Sequence, residues 1–235
     1  VTIRKRPPHA APPRETYRHG DLRRALLDAG IALAREGGPA AVVLREATRQ
    51  AGVAPNAAYR HFANHQALFD AVRAHALGAL AQAIEREWRK ALRVREPAAQ
   101  ARALLRAVGT GYLGFAQAET GLFRTAFVFG QHEVQVPPDP ARTAALGLNP
   151  FELLGAALDA MVATGVLPAE RRPQAEYLAW SAVHGMALLI IDGPLRGTLP
   201  PRVVRWASAC CKWSRTACEA AAGCSLSQLK RRPVA

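Results

Sequence analysis

The side chains with the most versatile chemistry, four cysteines, fall in one late cluster: Cys210, Cys211, Cys218 and Cys224. They form no Cys-x-x-Cys pair and no histidine stands near them, so zinc-ligand spacing is missing. On a helix Cys211 and Cys218 share a face about 10 Å apart, too far for a bridge within one chain. The cluster reads as small apolar residues on a packed helix, with a redox role as the alternative. Glu152, Asp159 and His132 have neither triad nor metal spacing, and no phosphate loop or dinucleotide fingerprint occurs. Trp180 and His184 are four apart and therefore lie on one helical face. Tyr112, Phe115, Phe123, Phe127, Met161 and Tyr177 can add apolar walls around them. Such a histidine is either hydrogen-bonded core or the polar point of a pocket. No partner for His184 as a base is visible, so neither catalysis nor a metal or other cofactor is expected.

The remaining chemistry is cationic. Of 31 basic residues 27 are arginine, whose planar fork suits phosphates and base edges. Residues 1–95 carry 17 Lys/Arg against 8 Asp/Glu, whereas residues 96–200 carry 7 against 9. Residues 201–235 are basic again, with 7 against 1. A basic first third beside a neutral middle suggests a polyanion-facing module joined to one that is not. The run Glu85–Arg95 reads as a solvated helix end.

These residues need helices to position them. The chain has 235 residues, half of them apolar but only 6% aromatic, and alanine alone accounts for 49. That composition favours helix and close helix packing, and argues against disorder and an all-β sandwich. No apolar stretch is long enough to span a membrane, and the first residues lack the apolar core of a secretory signal. A cytoplasmic protein is expected. Residues 1–16 read as a flexible basic arm and 225–235 as a basic tail. Between them the punctuation predicts about nine helices and no strand. Asp21 caps the first, which stops at Gly37-Gly38-Pro39. Short helices follow over 44–51 and from Pro55 to about Phe62. Asn64 caps a long fourth helix to about Leu92, and Pro97 opens a fifth. An apolar element spans 122–129, then a proline-rich loop covers 131–149. Further helices run from Asn149-Pro150 to Leu167, from Pro173 to Ile191 and over 201–222. The fold class is all-α.

Three short helices with a tight Gly52 turn describe a helix-turn-helix bundle. Thr48 is the small residue four before the turn, and Leu44, Ala47, Ala51, Val53, Ala58 and Phe62 supply the packing. Such a turn lets the second paired helix present its N-terminal half to a major groove.

Residues 17–72, YRHGDLRRALLDAGIALAREGGPAAVVLREATRQAGVAPNAAYRHFANHQALFDAV, closely resemble the N-terminal domain of TetR/AcrR-type transcriptional regulators. LRE (44–46), AGV (51–53), YRHF (59–62) and the later ALF (67–69) carry the likeness. GLFRTAFVFG (121–130) and AWSAVHGMALL (179–189) resemble the branch whose ligand-binding domain bears a Trp-His-Gly signature, here Trp180, His184 and Gly185. The resemblance implies a helix-turn-helix DNA-binding domain over 17–65 and a helical ligand-binding and dimerisation domain over 66–224. It implies a recognition helix over Pro55–Phe62. Asn56, Ala57 and Arg60 would lie nearest base edges, where Asn pairs with adenine and Arg with guanine. Tyr59 and His61 would bond phosphates, and Arg45 would make a phosphate or groove contact. The pocket would be lined by the aromatic and methionine residues named above with Trp180 and His184.

Four departures from the family pattern stand out. Val43 replaces a threonine cap, and Ala47-Thr48 replaces an Ile-Ala pair. Ala54 replaces the Ser or Thr cap of the recognition helix, a loss of about 1 kcal/mol in helix stability. His65-Gln66 replaces Lys-Glu at the start of the fourth helix, so a permanent phosphate-facing charge becomes a titratable one. The expected protein is a homodimeric, ligand-responsive repressor whose partners are a palindromic double-stranded operator and a small apolar effector. Its rivals are a small all-α enzyme using His184 as base and a non-specific DNA-coating protein.

Overall fold

The computed structural model describes residues 19–128 and 139–196, and within them every regular element is helical. The α-helices are α1 (His19–Gly37), α2 (Leu44–Gln50), α3 (Pro55–Ala58), α4 (His65–Ala91), α5 (Pro97–Ala118), α6 (Thr120–Ala126), α7 (Pro150–Ala163) and α8 (Ala175–Ile191). Short 3₁₀ turns stand at Pro39–Ala41, Pro140–Arg142 and Ala169–Arg171. The expected helix over 201–222, with its cysteine cluster, and the two basic termini lie outside the described residues.

Helix starts follow the chemistry of their caps. Asn64 Oδ1 accepts from the Ala67 amide at 2.8 Å, and Glu96 accepts from the Ala98 and Ala99 amides ahead of α5. Asn149 and Glu152 form a reciprocal capping box at α7. α2, α3, α6 and α8 start without a side-chain cap bond, and at α2 and α3 it is Val43 and Ala54 that stand at the cap. α3 ends at Ala58 instead of Phe62, and the chain leaves it through turns in which the Phe62 amide still donates to Ala58 O at 2.9 Å. α1 starts at His19, so Asp21 lies within its first turn and not at its cap.

Two other ends move for local reasons. α7 stops at Ala163 and not Leu167, because Gly165 takes φ +69° and the Val166 amide turns back to Met161 O at 2.8 Å. α8 starts at Ala175 after Gln174, which sits at φ +61°.

The core runs the length of α4 and collects α1, α5, α6 and α7 around it. Leu26, Leu68, Leu80, Ile84, Leu113, Leu122, Phe123 and Leu153 are fully buried. Each such side chain contributes about 1.5–3 kcal/mol relative to exposure. The segment after residue 138, expected as loop, is pinned along its described part. Buried Glu85 of α4 accepts from the Leu146 amide at 2.5 Å and pairs with Arg89 at 3.3 Å.

Candidate functional site

The turn between α2 and α3 is built by backbone alone. Gly52 takes φ +67°, which an L side chain resists, and the chain reverses there. The Val53 amide donates to Thr48 O at 3.0 Å and the Gly52 amide to Arg49 O at 3.2 Å, a complete Schellman closure. Thr48 is buried and its hydroxyl donates to Arg45 O at 2.7 Å. Val42, Leu44, Ala47, Ala58 and Phe62 are buried beneath, and the Arg23 guanidinium lies 5.2 Å from the Phe62 ring centre.

That frame turns one row of side chains outward. Asn56, Arg60 and Arg45 are exposed, while Ala57 and His61 are half-buried. Tyr59 is 57% exposed, so it is not a packing aromatic. Among the described residues none bonds the side chains of Arg45, Asn56, Tyr59, Arg60 or His61. His65 is different. A carbonyl can only accept, so its Nε2 carries the hydrogen and donates to Val42 O at 2.5 Å. Its ring also stacks on Phe69 at 6.2 Å, and Nδ1, an acceptor in this tautomer, can bond a phosphate only when it carries a second proton.

A second site lies where α5, α6 and α8 meet. Tyr112, Phe123, Phe127, Trp180 and His184 converge as the sequence suggested. Ring centres are 5.3 Å apart for Tyr112–Phe123, 5.0 Å for Phe123–Phe127, 4.9 Å for Phe127–His184 and 6.2 Å for Phe127–Trp180. The Tyr112 hydroxyl stands 2.7 Å from His184 Nδ1 and accepts from Trp180 Nε1 at 3.2 Å. Burial raises the Tyr112 pKa far above the ordinary phenol range and lowers that of His184 below the usual imidazole value. Both groups are thus neutral near pH 7.

The other expected wall residues spread out. Phe115 and Met161 are buried in the core, and Phe115 makes no ring contact with the group. Tyr177 is 58% exposed and reaches the group only through Phe151, 5.7 Å away. Phe151, on α7 and 6.1 Å from Trp180, is a wall residue that sequence reasoning missed. Its signal was faint: an apolar residue in the first turn after the Asn149-Pro150 cap.

α6 connects the aromatic site to α1. Gly121 of α6 meets the end of α1 so closely that an added Cβ would lie 2.2 Å from Ala34 O and 2.4 Å from Arg35 O. Beside this contact Glu119 pairs with Arg35 at 2.8 Å. At the other end of the helix Arg124 pairs with Asp192, the C-cap of α8. The buried Arg73 of α4 donates from Nε to the terminal α6 carbonyl, Ala126 O, at 3.3 Å. Phe123 and Phe127 project from this same short segment.

Comparison with known proteins fits both halves. Residues 26–72 match the family described as "Bacterial regulatory proteins, tetR family". Residues 105–209 match "Tetracyclin repressor-like, C-terminal domain", and the two matches together cover more than half of the chain. The chain belongs to the TetR family. Among solved structures, a protein of unknown function from Rhodococcus sp. RHA1 is 26% identical, with TM-score 0.59 over 84% of this chain and 97% of that one. The TetR-family transcriptional regulator PfmR from Thermus thermophilus is 21% identical, with TM-score 0.51 over 81% and 97%. No curated protein matches the chain.

As a TetR-family member the chain is a DNA-binding transcriptional regulator, and α2, the Gly52 turn and α3 are its helix-turn-helix. The matched C-terminal region contains Tyr112, Phe123, Phe127, Trp180 and His184. Neither family description names a Trp-His-Gly branch. Among the described residues no helix is long and apolar enough to cross a membrane, and no cluster of His, Cys, Asp and Glu could hold a metal.

Proposed function

We propose that this TetR-family regulator is a repressor, that it binds a palindromic operator as a homodimer, and that a small, largely apolar effector releases it. The observation that carries the reading is α6, one short helix that packs on α1 of the reader and lends two rings to the aromatic site. Reader and regulatory body divide near residue 65, as 17–65 and 66–224. Asn56, Ala57 and Arg60 face base edges, Tyr59, His61 and Arg45 face phosphates, and His65 approaches through Nδ1. The pocket belongs to Trp180, His184, Tyr112, Phe123 and Phe127. Trp180, His184 and Gly185 supply the Trp-His-Gly signature of the branch the chain resembles. The site of action is the cytoplasm. His184 meets a phenol and no acid, which favours regulation over catalysis.

Release follows from geometry. Two recognition helices must match successive major grooves about one DNA turn apart. An effector that displaces Phe123 or Phe127 moves α6, and the α1 contact carries that motion to the reader. The effect is bounded by the effector's differential affinity for the two arrangements. Exposed Tyr177, Leu188 and Leu189 on α8 support a second copy packing there.

The test is footprinting on the DNA upstream of the protein's own gene, with competition by random DNA at moderate salt. Protection of one palindrome is expected, with loss of protection when effector is added. Trp180→Ala should keep the footprint and lose the release. Equal affinity for random DNA would favour the non-specific coating reading, and a monomer by light scattering at micromolar concentration would defeat the dimer.

A further inference from the structure

Tyr112 is 3% exposed, and its hydroxyl has two polar neighbours, Trp180 Nε1 at 3.2 Å and His184 Nδ1 at 2.7 Å. An indole N–H can only donate, so the phenol oxygen accepts on that side. The hydroxyl has one hydrogen to place. Directed at His184 Nδ1, it completes the chain from Trp180 through Tyr112 to His184. Were Nδ1 to carry the hydrogen instead, the phenol hydrogen would be buried with no acceptor among the described residues, an expensive arrangement. The satisfied chain therefore holds neutral His184 with its single hydrogen on Nε2. Each bond in such a chain polarises the next and sharpens the donor at its end.

Nothing in the described chain accepts from that Nε2–H. What surrounds the ring is aromatic: Phe127 at 4.9 Å, Phe123 at 5.7 Å and Trp180 at 6.0 Å between ring centres. Nor does any residue of the group carry a formal charge. The neighbouring carboxylates are engaged, Glu176 with Arg172 at 2.7 Å and Asp192 with Arg124. Among the described residues a cation would find no unpaired carboxylate there, and an anion no unpaired Lys or Arg.

We propose that His184 Nε2–H is the specificity-determining donor of this site, and that the effector is an uncharged, flat, mostly apolar molecule presenting one carbonyl-type oxygen to it. This rests on the reading of the aromatic group as the effector site. Tyr112 is a positioning residue that acts through His184 by holding its tautomer.

Calorimetric titration of the full chain with three matched probes tests it. 2-Acetylnaphthalene and 2-ethylnaphthalene have nearly the same shape and differ by one carbonyl oxygen, while 2-naphthoate adds a charge. The ketone should bind about tenfold more tightly than the hydrocarbon, and the naphthoate more weakly than the ketone. His184→Phe keeps a ring and should bring ketone and hydrocarbon within about twofold of each other. Imidazole nitrogen NMR, with His184 assigned by its loss in His184→Phe, should show the hydrogen on Nε2. Tyr112→Phe should give a mixture of tautomers and a reduced ketone preference. A hydrogen on Nδ1 in the unmodified chain would overturn the proposal by itself. Equal ketone and hydrocarbon affinities, both lost in Trp180→Ala, would overturn the donor role and leave the effector site standing. No binding of any probe, or binding indifferent to Trp180→Ala, would remove the effector site and the donor role with it.

Discussion

Replacing Gly121 by alanine probes the contact on which the coupling between the two sites depends. The new methyl would stand 2.2 Å from Ala34 O, 2.4 Å from Arg35 O and 2.9 Å from Arg35 C. Ordinary carbon–oxygen contacts begin near 3.3 Å, so α6 must withdraw from α1 by about 1 Å. The obstructing atoms are backbone and cannot rotate aside as a side-chain tip would. Overpacking of this kind costs about 3 kcal/mol at the upper end, and the gain in helix propensity returns about 1 kcal/mol. The net loss of about 2 kcal/mol lowers the melting temperature by about 4–8 °C for a chain of this size. Gly114 is the control, because it is exposed on α5 and an added Cβ there meets nothing within 4 Å. Gly114→Ala should raise stability by up to about 1 kcal/mol. Thermal melts followed by helical circular dichroism would read both. If Gly121→Ala melted at or above the parent temperature, α6 would not be seated on α1 and the coupling argument would fail.

Arg60→Ala should weaken operator binding by about 1–3 kcal/mol and relax preference at one base pair. Tyr59→Phe should weaken all sequences alike, and a gel-shift series on single-base operator variants separates the two patterns. Stability should fall on acidification because burial lowers the His184 pKa below its unfolded value. The unfolded chain then binds more protons between those two values, so this group leaves stability intact above about pH 6.5 and erodes it as pH falls toward the lower, folded pKa. Denaturant midpoints at neutral and mildly acid pH should show a smaller drop for His184→Gln than for the parent. Glu85→Ala should release the 139–148 segment, because a buried carboxylate loses its bonds to the Leu146 amide and Arg89, and faster proteolysis there would report it.

The helical order was legible in the sequence wherever a single residue makes the decision. Asn64, Glu96-Pro97 and Asn149-Pro150 act within one turn of the chain, so the starts of α4, α5 and α7 could be read directly. The Gly52 turn follows from local spacing as well, whereas the row from Asn56 to Arg60 comes from the family resemblance. What the sequence hid is contact between distant segments. Nothing near Gly121 announces that it must touch Ala34, and nothing near Glu85 announces the Leu146 amide. The five converging rings of the second site were accessible because α5, α6 and α8 were placed correctly. Phe151 was not, since its place depends on how α7 crosses α8. His65 could be read as a departure from the family, but its bond to Val42 O links residues 23 apart.

The uneven capping of the helices has a thermodynamic consequence. Asn64, Glu96 and Asn149 secure the starts of α4, α5 and α7, whereas α2 and α3 begin at Val43 and Ala54 without a side-chain cap. Side-chain capping is therefore uneven along the chain, and the helix-turn-helix shares its absence with α6 and α8. If the reader's backbone orders further on docking, that ordering opposes binding entropically and takes up part of the contact energy. Operator binding then carries a more negative heat capacity than the docked area alone would give, and it weakens on warming faster than a rigid reader's would. A reader of that kind would discriminate by which DNA completes its fold, and temperature would become an input to the proposed switch.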